Sequence, residues 1–356
     1  DGNVVGQVKD SGRILAGISA FRTQNYLNKT VATPLIPQNI PNANLIPSLK
    51  TPVEFLGLKP KKQFQLTPYL LGSIGKLNAF DGSKYYNKGI KDYNIGLDFR
   101  FGLGSNLTLD ISANTDFAQV EVDNQIINVN DRVNIYLPEK RKFFQEQAGL
   151  FDFNVGRNSQ LFYSRRIGIN NGKMIPIIGG LRLTGEVKGF ELGILSMQTQ
   201  EADETIAAIP TENFSVLRLR KKILNEKSFI GFMSANKINN KSYNAVLGID
   251  GVISFSKNLY LLSSFSTELS NEKTKQNMID RSRFSLFLDK RKEDGLYYSL
   301  GYEYSGKAFS PETSFLLREN YQNFYQTLNY GKFNSDKSKS VFRYTNWTIF
   351  NSNLYL

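Results

Sequence analysis

Between Asp92 and Phe101 the chain alternates without a break: Tyr93, Ile95, Leu97, Phe99 and Phe101 are apolar, and Asp92, Asn94, Gly96, Asp98 and Arg100 between them are polar or Gly. Successive side chains of a strand point to opposite faces, so this run is a strand with one greasy face and one wet face. After a turn at Gly102–Asn106 the pattern resumes, with Leu107, Leu109, Ile111 and Ala113 set against Thr108, Asp110, Ser112 and Asn114. The two runs make a long hairpin. The same grammar recurs at 178–186 and 190–198, 213–222 and 227–236, 243–254 and 259–268, and 282–289 and 296–305, with further stretches at 321–330 and 340–350. The expectation is an all-β, antiparallel fold in which only Pro138–Gly149 suggests a short turn of helix, charged all round and without a long apolar stripe.

Composition narrows the chemistry. The 356 residues contain no Cys and no His, which removes thiolate nucleophiles, disulfides, imidazole zinc sites and every Ser-His-Asp or Cys-His mechanism. No cofactor is expected. An apolar content of 40% is enough for a folded core. The net charge of +12 is spread through strand-like and turn-like stretches, with no basic helix and no nucleic-acid module, so no nucleic-acid partner is expected. No apolar run reaches the ~18 residues of a membrane helix. Asp1 opens no signal-peptide pattern, so the chain reads as mature or as a fragment.

Alternation alone does not separate a soluble sandwich from a transmembrane barrel, since both bury one face of each strand. Strand length does. Soluble strands average about five or six residues, whereas a tilted strand crossing a bilayer takes about nine to eleven, the length of most segments here. Gly96, Gly248 and Gly301 on the polar face suit a crowded interior, and Tyr93, Phe101, Tyr243, Tyr304, Tyr330 and Phe350 suit interfacial girdles at strand ends. Closure would also remove the edges of so long a sheet. Together these features favour an antiparallel transmembrane β-barrel over a soluble sandwich. Residues 66–356 would form it, with 116–153 as a charged segment. Residues 1–65, which include Pro34, Pro37, Pro41, Pro47, Pro52 and Pro60, read as an irregular connector or arm with short strands only between Val4 and Phe21.

The stretch DFAQVEVDNQIINVNDRVNIYLPEKRKFFQEQAGLFDF (Asp116–Phe153), followed by LFYSRRIG (Leu161–Gly168), resembles a specific family. It is similar to the uncharacterised Gram-negative outer-membrane β-barrel domain that follows a family-nine-like carbohydrate-binding sandwich. Further matches are GLKP (Gly57–Pro60), QLTPY (Gln65–Tyr69), GGLRLTGEVKGFELGIL (Gly179–Leu195), SFIGFM (Ser228–Met233) and FSPETSFLLRENYQNFYQTLNY (Phe309–Tyr330). Lys142 and Gln147–Ala148 depart from the pattern, which has Pro and an acidic-Gly pair there. The resemblance implies an outer-membrane location, contact with outer-membrane lipid, and envelope proteins or a glycan as partners. It also implies a barrel that continues past Leu356 or closes at about 14 strands.

The densest charge lies within the resembling segment. Glu121, Asp123, Arg132, Glu139, Lys140, Arg141, Glu146, Arg165 and Arg166 form the candidate binding cluster, read first as a salt-bridged loop bracing a barrel lumen and second as a surface for an anionic or sugar ligand. No catalytic residue is assigned. Paired carboxylates among Glu121, Asp123, Glu139 and Glu146 would be needed for glycoside hydrolysis. A calcium site at Asp123, Asn124, Asn130 and Asp131 has oxygen ligands but no EF-hand spacing. The leading functional expectation is a non-enzymatic barrel acting as pore, scaffold or envelope-complex subunit. The alternatives are an outer-membrane polysaccharide hydrolase and a soluble all-β binding protein.

Overall fold

The computed structural model describes residues 14–24, 26, 29–34, 50–56, 64–80, 84–104, 106–114, 136–153, 159–170, 173–202, 209–292, 294–333 and 344–355. The chain forms two compact units, one comprising Asp1–Lys62, Glu293–Leu296 and Tyr330–Trp347, the other Gln63–Lys292, Tyr297–Asn329 and Thr348–Leu356. In the first, β1 (Ile14–Ile18) pairs with β4 (Thr51–Phe55) and β2 (Ala20–Gln24) with β3 (Lys29–Thr33). Strands therefore form at 29–33 and 51–55, beyond the Val4–Phe21 window expected from the prolines. Pro52 sits in β4 opposite Gly17, where a two-stranded ribbon leaves its missing N–H without consequence.

Thirteen strands make one antiparallel sheet. They are β5 (Phe64–Phe80), β6 (Tyr85–Leu103), β7 (Leu107–Ala113), β10 (Ile177–Val187), β11 (Phe190–Thr199), β12 (Asn213–Lys222), β13 (Phe229–Ile238), β14 (Tyr243–Ser254), β15 (Leu259–Ser270), β16 (Ser282–Lys290), β17 (Gly295–Ser305), β18 (Tyr321–Phe333) and β19 (Tyr344–Tyr355). The spatial order follows the chain from β5 to β19, with only the small hairpin of β8 (Ile169–Asn170) and β9 (Lys173–Met174) set aside. The period-two runs and the sheet strands coincide closely. Tyr93 and Phe350 are corrections: both lie mid-strand, because β6 starts at Tyr85 and β19 runs from Tyr344 to Tyr355. The Gly179–Gly180 pair adjoins a register shift between Ile177 and Gly179, as glycines at a bulge do. Among the described residues no helix is long and apolar enough to cross a membrane. Among the described residues the one α-helical turn is α1 (Lys142–Gln145), inside Pro138–Gly149.

The two faces of the sheet differ in kind. Register places Leu192, Leu219, Phe232, Ile249, Phe265, Phe284 and Tyr304 side by side across seven strands. These apolar side chains are half-buried or exposed, and elsewhere on this face Ile95 is 65% and Leu300 46% exposed. One residue along, the other face carries Gly193, Arg218, Met233, Gly248, Ser266, Arg283 and Ser305 in the matching row. The described residues of segment 136–168, 136–153 and 159–168, pack here. Phe144, Phe151, Phe153, Leu161 and Ile167 join Leu195, Met197, Phe214, Val216, Met233, Ala235 and Val246 in a single apolar cluster.

Glycines give that segment room. A Cβ on Gly248 would stand 2.5 Å from Phe153 Cζ and 2.9 Å from Leu161 Cδ2, and one on Gly193 would stand 3.0 Å from Phe151 Cε1. The polar-face glycine at 248 thus marks where the sheet accepts a bulky neighbour. Gly248→Val is expected to dislodge 136–168 while leaving the strands intact: protease cleavage within this segment should rise several-fold, with far-ultraviolet dichroism unchanged. Leu161→Ala, at a site with no exposure, should cost about 2–5 kcal/mol of thermal or denaturant stability, and Leu300→Ala on the opposite face far less.

Candidate functional site

The sheet grips the packed segment through charge. Register sets Arg100 opposite Asp110 and Asp110 opposite Arg182. Asp110 accepts from Arg100 Nε at 2.6 Å on one oxygen and from Arg182 Nη2 at 2.7 Å on the other. Arg182 Nη1 donates to the backbone carbonyls of Phe143 and Glu146, and its guanidinium lies over the Phe143 ring at 4.9 Å. The Glu146 carboxylate pairs with Arg100 and lies 3.5 Å from Arg182 Nη2. A cation-anion-cation row on three strands therefore reads the end of α1, satisfying both free carbonyls and side-chain charge.

Within the segment, Glu139 is the hub. One oxygen accepts the N–H groups of Lys140 at 3.0 Å and Arg141 at 2.9 Å, together with Arg141 Nε at 2.9 Å. The other accepts Arg141 Nη2 at 2.8 Å and the Ser164 hydroxyl at 2.5 Å. Buried Arg141 donates in turn to the carbonyls of Ile167 at 2.8 Å and Ser164 at 2.7 Å, and Arg165 Nη1 donates to Pro138 at 3.0 Å. These bonds staple 138–141 to 164–167. Burial pushes the Glu139 carboxyl up, but the hydrogen bonds and charge of Arg141 and the Ser164 hydroxyl outweigh it and hold the group below its ordinary 4.5. Burial raises the Tyr163 phenol, which donates to the Leu137 carbonyl at 2.5 Å, and raises Asp152 against the opposing charges of Arg220 and Arg218.

Two further charge sets line the same face. Arg218 and Asp250 form a two-bond ion pair at 2.6 and 2.8 Å, each side chain only 1% exposed. It crosses the intervening strand at Gly231, whose position cannot take a Cβ without striking both partners. Glu268, fully buried, accepts from Asn244 Nδ2 at 2.8 Å, Lys273 Nζ at 2.7 Å and the Ser310 N–H at 2.7 Å. Buried charge of this kind is stable only when paired, as both sets are, with Arg218 Nε alone of the Arg218–Asp250 pair left without a hydrogen-bond partner among the described residues.

Next to these lies a cavity of about 270 Å³. Arg166, Glu212, Lys237, Glu312 and Glu319 bring charge to it, with Phe214 in its wall. Lys237 Nζ sits 2.9 Å from Glu212 Oε1 and 2.9 Å from Glu312 Oε2. Arg166 Nε donates to the Ser314 carbonyl at 3.1 Å. Burial, reinforced by Glu268 and opposed by Lys273, raises the Glu319 carboxyl.

Six members of the sequence cluster thus fall in one segment: Glu139, Lys140, Arg141 and Arg165 in its staple, Glu146 against the sheet, and Arg166 at the cavity. Glu121, Asp123 and Arg132, like the calcium candidates Asn124, Asn130 and Asp131, lie outside the described residues. Sequence reading missed Asp110, Arg182, Arg218, Asp250, Glu212, Lys237 and Glu312. Their signal was available for the strands alone, as charges at the polar positions of alternating runs. Residues 60–176 match the family described as a domain of unknown function (DUF5916). No curated protein and no solved structure matches the chain.

Glu139→Gln should leave the buried Arg141 guanidinium without its carboxylate and cost roughly 3 to 5 kcal/mol, read as a lowered unfolding midpoint. Because the folded Glu139 sits below its unfolded value, the staple contributes fully above about pH 4.5 and is lost as pH falls through the depressed folded value. Acid titration of the wild type should therefore expose 136–168 to protease below that pH, and the Gln variant should show this exposure already at neutral pH.

Proposed function

We propose that the chain is an outer-membrane β-barrel protein of non-enzymatic type, whose lumen is braced by segment 136–168. The observation carrying this reading is the seven-strand apolar row from Leu192 to Tyr304 on the bare face of the sheet, backed by arginines, carboxylates and serines on the packed face. A soluble protein with this sheet would be expected to place its apolar row inside and its ion pairs outside. Hydrocarbon on one side and a polar lumen on the other match the observed order. Strands β10 to β15 have 10 to 12 residues, enough for a tilted crossing.

The connections favour an orientation. On one end of the sheet they are 81–84, 114–176, 200–212, 239–242, 271–281 and 306–320, and on the other 104–106, 188–189, 223–228, 255–258, 291–294 and 334–343, so the four longest all lie at the first end. Outer-membrane barrels keep short turns on the periplasmic side and long loops outside, so the end holding the cavity faces the medium. In the thirteen-strand order β5 and β19 run in the same sense, so antiparallel closure takes at least one further strand. Within this reading the barrel acts as pore, scaffold or envelope-complex subunit. Its resemblance to a domain that follows a carbohydrate-binding module supports a link to glycan capture through that module.

Folded barrels resist dodecyl sulfate until boiled. The chain should require detergent for extraction and should shift in gel mobility on heating; a detergent-free soluble monomer with no shift would contradict the assignment. The absence of cysteine gives a clean labelling background. A thiol from Asn240→Cys should react with an impermeant maleimide on intact cells, and one from Lys257→Cys only after the outer membrane is opened.

A further inference from the structure

We infer that the cavity at Arg166 and Lys237 binds a small solute of basic amino-acid type, carrying one carboxylate and two ammonium groups. The inference rests on the barrel reading for its access from outside, while the cavity itself is defined by the side chains that line it. Lys237 is one cation held at 2.9 Å by two carboxylates, Glu212 and Glu312, which leaves one negative charge in excess. Among the described residues Arg166 has no carboxylate at ion-pair distance, and Glu319 has no cation there, so the two do not pair with each other although they line the same cavity. The site therefore offers one guanidinium and two negative charges awaiting partners.

A solute carboxylate complements Arg166, whose Nε donates to Ser314 and whose Nη atoms can still donate to the carboxylate. Two ammonium groups complement the Glu212–Glu312 excess and Glu319. The ligand's net charge of about +1 then cancels the cavity's net −1. Size is compatible: the cavity is about 270 Å³, and L-lysine has about ten non-hydrogen atoms. Phe214 and Leu316, both buried, and Ile175 supply apolar wall for its methylene stem. The entrance lies among Glu312, Glu319 and Arg166, all exposed, on the long-loop side of the sheet.

The test is calorimetric titration of the full chain in detergent with L-lysine, with cadaverine (no carboxylate) and L-norleucine (no side-chain ammonium) as comparison probes. L-Lysine should bind saturably, and each comparison probe at least tenfold more weakly. Arg166→Gln should weaken L-lysine at least tenfold while leaving cadaverine unchanged, and Glu319→Gln should weaken L-lysine by a similar factor. Far-ultraviolet dichroism checks that each variant is folded. If Arg166→Gln fails to fold, Arg166→Lys, which keeps the charge and loses the fork, should bind L-lysine with intermediate strength. No saturable binding by folded protein, cadaverine binding as tightly as L-lysine, or indifference to both substitutions would overturn the assignment. L-Lysine binding in a chain without the heat-dependent mobility shift would uphold the site and discard the barrel, so the two failures are distinguishable.

Discussion

The structure depends on a polarity that runs opposite to that of a water-soluble sheet. Apolar side chains from Leu192 to Tyr304 stand on a face that no described segment covers, while Arg218, Asp250, Arg182, Asp110 and Glu268 are shut away on the other. In water such an exposed row costs roughly 25 cal/mol for each Å² left uncovered and invites association. In hydrocarbon the penalty vanishes, and the same medium forbids unpaired backbone groups, which a continuous antiparallel ladder supplies with partners.

Given that inversion, the interior charge becomes intelligible. A sheet face lined only by charges would be wet and loosely specified. Here segment 136–168 inserts aromatic and aliphatic side chains against Met197, Phe214 and Met233, then fixes its own register with Arg182 on the carbonyls of Phe143 and Glu146. Apolar packing gives the segment its stability and the arginines give it one position, since each guanidinium must find acceptors or remain buried without them. Gly248 and Gly231 keep this possible, the first leaving space for Phe153 and Leu161, the second letting Arg218 reach Asp250 across a strand. The cavity at Arg166 lies where the segment ends, so the same segment that packs on the sheet lines part of it.

The strands were legible because alternation is local: Asp92 to Phe101 declares its two faces without reference to any other part of the chain. Charge density pointed to this segment because Glu139, Arg141, Glu146, Arg165 and Arg166 are close in sequence. Their partners were not legible. Arg182 meets Asp110 across 72 residues and Arg166 meets Ser314 across 148, pairings set by strand order and register that no short spacing records. Lys237, Glu212 and Glu312 looked like isolated charges for the same reason. The strands at 29–33 and 51–55 were hidden by neighbouring prolines, whose cost disappears in a two-stranded ribbon with an open edge.

The most direct measurement asks what touches the bare face. A nitroxide attached through Ile249→Cys, in protein reconstituted into lipid bilayers, can be relaxed by oxygen, which concentrates in hydrocarbon, or by a water-soluble nickel chelate. The account predicts strong relaxation by oxygen and almost none by the chelate, with the reverse ratio for a label at Lys257→Cys. Ready access of the chelate to position 249, or shielding there from both reagents by protein, would contradict it.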